Sequence, residues 1–289
     1  MAHPLLRAPS DVRVAITAGS ADGTIRAWSI QPPHQEKGIL RGHTGVVYAL
    51  LVLQGKLISG ASDRCIRVWD ARSFVCEHVL LELSATILSV AFASGHLFAG
   101  CQDGTLAVWR RGAGAGFEVL CAVPAHKGGI YATLGVEEQV ITGAADSMLQ
   151  VWSAPADGTS ATGGAGGALP STLPSGTAGG GGAPVRATAM LLGQDGEDPG
   201  GGVYALAHAD GFVYSGHQGA FIRFWSLAER TCMKTVAAHD SYVCGVFVIA
   251  GKLLTASSDK TWAVWDRATL TRTRAYEGHD GGVYAIVGH

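Results

Sequence analysis

Apolar and polar residues alternate along this chain in short runs broken by turn residues. The stretch 46–53 (VVYALLVL) is followed by Gln54-Gly55, then by KLISGA, then by a turn through Asp63, then by CIRVWD. Runs of this length, rich in β-branched and aromatic residues and bounded by Gly, Asp and Ser, are read as strands. The succession gives a unit of four strands, a to d, at 46–52, 56–61, 65–70 and 75–81. It returns at 87–93, 96–101, 105–110 and 117–122, and again at 130–135, 139–144 and 148–153. Two further units occupy 203–208, 212–217, 221–226 and 231–236, then 243–249, 252–257, 261–266 and 271–276. The chain opens with b-, c- and d-type runs at 12–18, 24–30 and 37–41, where Asp22-Gly23 supplies a tight hairpin turn, and it ends with an a-type run at 283–287.

Polar residues recur in the same frame. His43, Ser59, Asp63 and Trp69 are repeated as His126, Thr142, Asp146 and Trp152, and as His239, Thr255, Asp259 and Trp265, at identical spacing. Tryptophans close the units at 28, 69, 109, 152, 225 and 265, and Trp262 stands outside the series. These Gly-His to Trp-Asp units resemble WD40 repeats, which recur every 40–45 residues or so. The resemblance runs from end to end and implies an all-β WD40 β-propeller. Six four-stranded blades are expected, closed by pairing of the N- and C-terminal segments, with a partial seven-bladed propeller as the alternative. Phrases such as GKLISGASD and GKLLTASSD are similar to WD40 domains in RING-type and F-box ubiquitin ligase components and in alpha-type kinases.

The resemblance implies that each His, Ser/Thr, Asp and Trp set is a structural tetrad. A buried indole N–H needs an acceptor, a hydroxyl supplies it and donates onward to imidazole, and the imidazole donates to the carboxylate. Three units are incomplete. The Trp28 unit has Asp22, with His279 available from the C-terminus, but Ala18 replaces the hydroxyl. The Trp109 unit keeps Asp103 but has Leu83 and Ala99, and the Trp225 unit keeps Ser215 but has Gly219 and Pro199 in place of Asp and His. These units are expected to be softer.

The long step between Trp152 and Trp225 contains 154–184, a Gly/Ala/Ser-rich segment with Asp157 as its only charge. It is expected to be a disordered insertion between strands c and d. Lengthening a loop from about four to about thirty residues costs only ~2 kcal/mol of closure entropy. The expected organisation is a flexible leader at 1–11 and a single propeller at 12–289.

Composition narrows the function. Only 15% of residues are charged, glycine numbers 41, and the formal net charge is −2 with no basic run, so neither nucleic acid nor an anionic membrane is an expected partner. Six cysteines form no CxxC pair, which argues against a zinc or redox motif and for a reducing, intracellular setting, cytoplasmic or nuclear. The first residues lack a sustained apolar run, and no run is long enough to span a membrane. No metal site and no cofactor is expected. There is no G-x-S-x-G elbow and no Walker A loop, and a Ser59–His43–Asp63 hydrolase triad is disfavoured because the hydroxyl is committed to tryptophan.

What remains is recognition. Five residues after each tetrad-His position stand Tyr284, Tyr48, Leu88, Tyr131, Tyr204 and Cys244, with Tyr242 close by. WD40 proteins commonly bind peptides or proteins at this rim, and aromatic side chains give large contact area at low entropy cost. The competing reading is packing, with the hydroxyls bonded to neighbouring loops. The acidic loop Asp195-Gly196-Glu197-Asp198 favours a partner with basic segments. Trp69-Asp70-Ala71-Arg72 resembles the WDxR signature of substrate receptors of cullin-4 ubiquitin ligases, which would make Arg72 an adaptor contact. The expectation is a non-catalytic interaction scaffold, a monomeric propeller within a larger complex. The alternatives are a cullin-4-type receptor or an enzyme using the central funnel.

Overall fold

The computed structural model describes residues 14–17, 20–29, 35–80, 83–112, 116–153, 185–191 and 201–284. Among them there is no helix, and six antiparallel sheets follow one another in chain order. Sheet 1 is β1 (Val14–Thr17), β2 (Ile25–Ser29) and β3 (Glu36–Leu40). Sheet 2 is β4 (Val47–Leu53), β5 (Lys56–Ala61), β6 (Ile66–Asp70) and β7 (Cys76–Leu80). Sheet 3 is β8 (Ile87–Ala93), β9 (His96–Cys101), β10 (Thr105–Arg111) and β11 (Phe117–Pro124). Sheet 4 is β12 (Ile130–Val136), β13 (Gln139–Ala144), β14 (Leu149–Ser153) and β15 (Arg186–Leu191). Sheet 5 is β16 (Val203–Ala209), β17 (Phe212–His217), β18 (Phe221–Ser226) and β19 (Thr231–Ala237). Sheet 6 is β20 (Val243–Ile249), β21 (Lys252–Ser257), β22 (Trp262–Asp266) and β23 (Thr271–Tyr276). Every sheet is a meander, each strand pairing with the next in sequence. The expected strand at 283–287 and the insertion at 154–184 fall largely outside the described residues, and Val283 and Tyr284 are not in a strand.

Local chemistry explains the meanders. Between the first two strands, Gln54-Gly55 and Ala250-Gly251 place both central residues at positive φ, 48° and 78° in one, 46° and 72° in the other. That is the twist-matched two-residue hairpin. Between the last two strands of sheets 2 and 6, the Asp of Trp-Asp holds the turn. Asp70 Oδ1 accepts from Ser73 N (2.8 Å) and Arg72 N (3.1 Å), and Asp266 Oδ1 accepts from Thr269 N (3.1 Å). Each of these turns ends in a left-handed residue, Phe74 or Leu270.

The chain divides into two compact units, 1–90 and 91–289. In the first, Ile25, Ala27 and Leu40 of sheet 1 form one core with Val47, Leu57, Ala61 and Trp69 of sheet 2. Phe74 lies over Gly38 of β3, whose hypothetical Cβ would sit 2.5 Å from the ring. In the second, one core joins sheets 3 and 4 around Phe98, Leu106, Val140 and Trp152. Another joins sheets 4 and 5 around Ile141, Leu149, Val203 and Trp225, and a third joins sheets 5 and 6 around Tyr214, Ile222, Leu253 and Trp265. Each of these tryptophans faces the sheet before its own.

On the opposite face, the glycine after the tetrad hydroxyl opens a hole. A Cβ at Gly60 would meet Ile87 Cγ2 at 2.4 Å, one at Gly143 would meet Val203 Cγ1 at 2.6 Å, and one at Gly216 would meet Val243 Cγ1 at 2.8 Å. A β-branched side chain from the next sheet fills the space that a Cβ would need. Gly143→Ala is therefore expected to lower the unfolding free energy by about 1–3 kcal/mol through overpacking against Val203, read as a lower urea midpoint. The same change at Gly55, where nothing lies within 4 Å, acts through its positive φ alone.

Candidate functional site

The recurring polar sets come together as hydrogen-bonded chains. In sheet 2, Trp69 Nε1 donates to Ser59 Oγ (2.8 Å), Ser59 Oγ meets His43 Nε2 (2.7 Å), and His43 Nδ1 meets Asp63 Oδ2 (2.8 Å). Asp63 also accepts from the N–H groups of Thr44 (3.0 Å) and Cys65 (3.1 Å), so one carboxylate ties the loop before the first strand to the turn after the second. Sheet 4 repeats this through Trp152 to Thr142 (2.9 Å), His126 to Thr142 (2.7 Å) and His126 to Asp146 (3.0 Å). Sheet 6 does so through Trp265 to Thr255 (2.9 Å), His239 to Thr255 (2.8 Å) and His239 to Asp259 (2.9 Å). The chain fixes the direction of every proton: indole to hydroxyl, hydroxyl to Nε2, Nδ1–H to carboxylate. The imidazoles are thus neutral, and burial pushes all three below the usual histidine range against the pull of their carboxylates. Burial opposes the charge on Asp63 and Asp259, yet the N–H and O–H donors outweigh it and hold both low, Asp259 at about 2.

Sheet 5, with Pro199 at the usual histidine position, takes an imidazole from elsewhere. Trp225 Nε1 donates to Ser215 Oγ (2.7 Å), and Ser215 Oγ meets Nε2 of His217 (2.7 Å), two residues on in the same strand. The ring is buried and stacks on Phe221, with centroids 4.8 Å apart. Its Nδ1 is turned towards the Gly201 backbone, outside good hydrogen-bond geometry, and has no other partner among the described residues. Burial and the neighbouring Arg223 push His217 down to about 3, and the Gly201 backbone opposes them. Arg223 is itself buried, lying over Phe221 (4.9 Å) and Trp225 (5.9 Å). The missed signal was a Ser-x-His in the strand itself rather than in the loop. Sheet 3 has no substitute among the described residues: Trp109 is 1% exposed and its Nε1 has no partner among them. In sheet 1, Asp22 Oδ1 accepts from Thr24 N (2.8 Å), Ala18 lies outside the described residues, and His279 is exposed.

The rim positions behave differently from the tetrads. In the second unit, Tyr131, Tyr204 and Tyr242 form one continuous stack. Tyr131 and Tyr204 have centroids 4.7 Å apart, and Tyr204 and Tyr242 are 5.8 Å apart with only 12° between their planes. None of the three hydroxyls is hydrogen-bonded among the described residues. Burial raises the Tyr204 hydroxyl above its ordinary value, helped by Tyr131 and Tyr242. Tyr242 ends the row, 43% exposed, with no ring on its other face among the described residues. Cys244 is half-buried with Sγ against the Tyr242 carbonyl (3.5 Å), and Tyr284 is exposed without joining the stack. The loops that lead into Tyr131, Tyr204 and Tyr284 carry Gly-Gly two residues earlier, so no side chain from those positions covers the rings. In the first unit, Tyr48 is exposed and Leu88 half-buried. Arg72 is exposed on a turn held by Asp70. The acidic loop 195–198 lies outside the described residues. Among the described residues no group of three His, Cys, Asp or Glu side chains is arranged to hold a metal ion.

Comparison with known proteins agrees with this architecture. Residues 34–70 and 230–266 match the model of the WD40 family, described as WD domain, G-beta repeat. The F-box/WD repeat-containing protein sel-10 of Caenorhabditis elegans is 29% identical over 100 residues, 34% of this chain and 17% of that protein. The WD repeat-containing protein slp1 of Schizosaccharomyces pombe is 26% identical over 153 residues, 50% of this chain and 31% of that protein. The chain thus spans less than a third of either relative. Among solved structures, the WD40 β-propeller domain of Doa1 superposes with a TM-score of 0.73 at 16% identity, covering 95% of this chain and 82% of that one. A computationally designed protein, Ika8, gives 0.69 at 22% identity, covering 97% and 76%.

Two outcomes are expected. Ala99 pairs with Ala107 at the register that Ser59 and Arg67, or Thr142 and Gln150, occupy elsewhere. Ala99→Ser is expected to give Trp109 Nε1 an acceptor and raise stability by about 1 kcal/mol, read as a higher melting temperature. The second concerns pH. Between 6.5, the ordinary histidine value, and about 3, the unfolded chain binds a proton at residue 217 that the folded chain refuses. Stability at this site is complete above pH 6.5 and falls as pH drops, by at most roughly 1.4 kcal/mol per unit. Melting temperatures of wild type and His217→Gln between pH 7 and pH 4 check this, and the variant is expected to show the shallower decline.

Proposed function

We propose that this chain, a WD40-repeat β-propeller, is a non-catalytic interaction module that docks protein or peptide partners at the tyrosine row formed by Tyr131, Tyr204 and Tyr242. The row itself carries this reading. Its rings are in place, stacked on one another, and its hydroxyls have no hydrogen-bond partner among the described residues, which suits a partner's carbonyl or amide groups. Pre-ordered aromatic side chains of this kind lose little entropy on binding. Cys244 and Tyr284 belong to the same proposal as flanking contacts, and Tyr48 and Leu88 are proposed as partner contacts of the first unit.

The polar groups that would suit chemistry are engaged otherwise. Each tetrad hydroxyl is fully buried and its oxygen already accepts from an indole N–H, so no substrate reaches it. Six unpaired cysteines suit an intracellular setting, cytoplasm or nucleus. Buried Cys101 and Cys121, pushed up to about 12 and about 11 by desolvation, are inert thiols. Arg72 supports a second docking proposal, to the adaptor of a cullin-4 ubiquitin ligase, because its side chain is exposed on a turn fixed by Asp70.

Affinity capture from cell extract separates these. A Tyr204→Ala/Tyr242→Ala variant that melts as wild type is expected to lose a specific set of proteins that wild type captures. An unchanged set would overturn the tyrosine reading. Loss confined to Arg72→Ala, with cullin-4 ligase subunits as the missing proteins, would put the adaptor reading in its place.

A further inference from the structure

We infer that the tyrosine row selects an arginine, seating its guanidinium on the open face of Tyr242 as the next layer of the stack. The inference rests on the docking reading above and narrows it to one chemical group.

Three observations lead there. The first is the geometry of the row. Tyr204 and Tyr242 lie nearly parallel, and the ring spacings leave no room to insert a further planar group between neighbours. A ligand extends the stack only at an end, and Tyr242 is the end with 43% exposure and no ring beyond it among the described residues. The second is charge. The loop that leads to Tyr242 carries Asp240, whose N–H donates to Asp259, and the sheet-6 loops also hold Glu277 and Asp280 against Lys260 and the Arg272 guanidinium, which reaches the Ala238 carbonyl. Asp259 stays ionised at neutral pH, since its carboxyl is held at about 2. A cation is therefore favoured on approach. The third is the kind of surface offered. A tyrosine face attracts a cation through its ring quadrupole, and a flat, delocalised, weakly hydrated guanidinium covers that face where a compact ammonium stays in its water shell. This fold already uses the pairing internally: the guanidinium of Arg223 lies over Phe221 at 4.9 Å and that of Arg274 over Tyr276 at 4.8 Å.

The test uses nonapeptide pools with randomised flanks and a fixed central residue: arginine, lysine or citrulline. Citrulline keeps the plane and loses the charge. Binding of the labelled pools to the whole chain is followed by fluorescence polarisation. The arginine pool is expected to bind at least tenfold more tightly than the lysine pool, and the citrulline pool is expected to show no saturable binding. Tyr242→Phe is expected to retain the preference. Tyr242→Leu keeps an apolar side chain at an exposed position but removes the π face, and is expected to bring arginine and lysine together. Equal binding of arginine and lysine by wild type, or an undiminished preference in Tyr242→Leu, would overturn the inference. The capture experiment separates the two failures. If Tyr204→Ala/Tyr242→Ala loses partners while the pools bind alike, the docking row stands and arginine selection falls. If capture is unchanged and no pool binds, both fall.

Discussion

A buried indole N–H has to be paired, and much of this structure follows from how that demand is met. Trp69, Trp152 and Trp265 lie in the cores between consecutive sheets, where an unpaired donor would cost about 1–3 kcal/mol. A hydroxyl on the neighbouring strand takes the proton, an imidazole takes the hydroxyl's, and a carboxylate takes the imidazole's. The last member also accepts backbone N–H groups from two separate loops. One desolvated donor thereby fixes a strand, its neighbour, the loop before the sheet and the turn within it.

The same short motif sets the spacing of the sheets. The residue after the hydroxyl in sheets 2, 4 and 5 is glycine, and it receives Ile87, Val203 or Val243 from the next sheet. Hydrogen bonds on one face and a hole on the other are thus written in two adjacent residues, Ser-Gly or Thr-Gly. Where the hydrogen-bond chain is interrupted the knob and hole persist, as at Gly216, so the two functions are separable.

Much of this was legible in the sequence. The recurrence of the three complete sets and the strand order were read from spacing, and the resemblance to WD40 repeats implied that each set is a hydrogen-bonded tetrad, since both are fixed by offsets within one unit. What spacing missed was His217, since it reaches Ser215 from within the strand and not from the loop that the repeat reserves for it. The tyrosines were visible as recurring positions, but not their stacking, because each ring comes from a different sheet and the contact depends on how sheets pack. The acidic loop 195–198 and the insertion 154–184 were read from composition, and they lie outside the described residues.

The unpaired Nε1 of Trp109 has a consequence for how the molecule comes apart. In an array whose stability comes from cores and polar chains shared by neighbouring sheets, stability is close to a sum over neighbours and not a single global quantity. A link without its polar chain opens at lower cost than the rest, and opening is then confined to a cooperative segment instead of spreading. Sheet 3 is in this sense a built-in weak joint. It concentrates transient exposure of backbone and apolar surface at this sheet and at the core it shares with sheet 4.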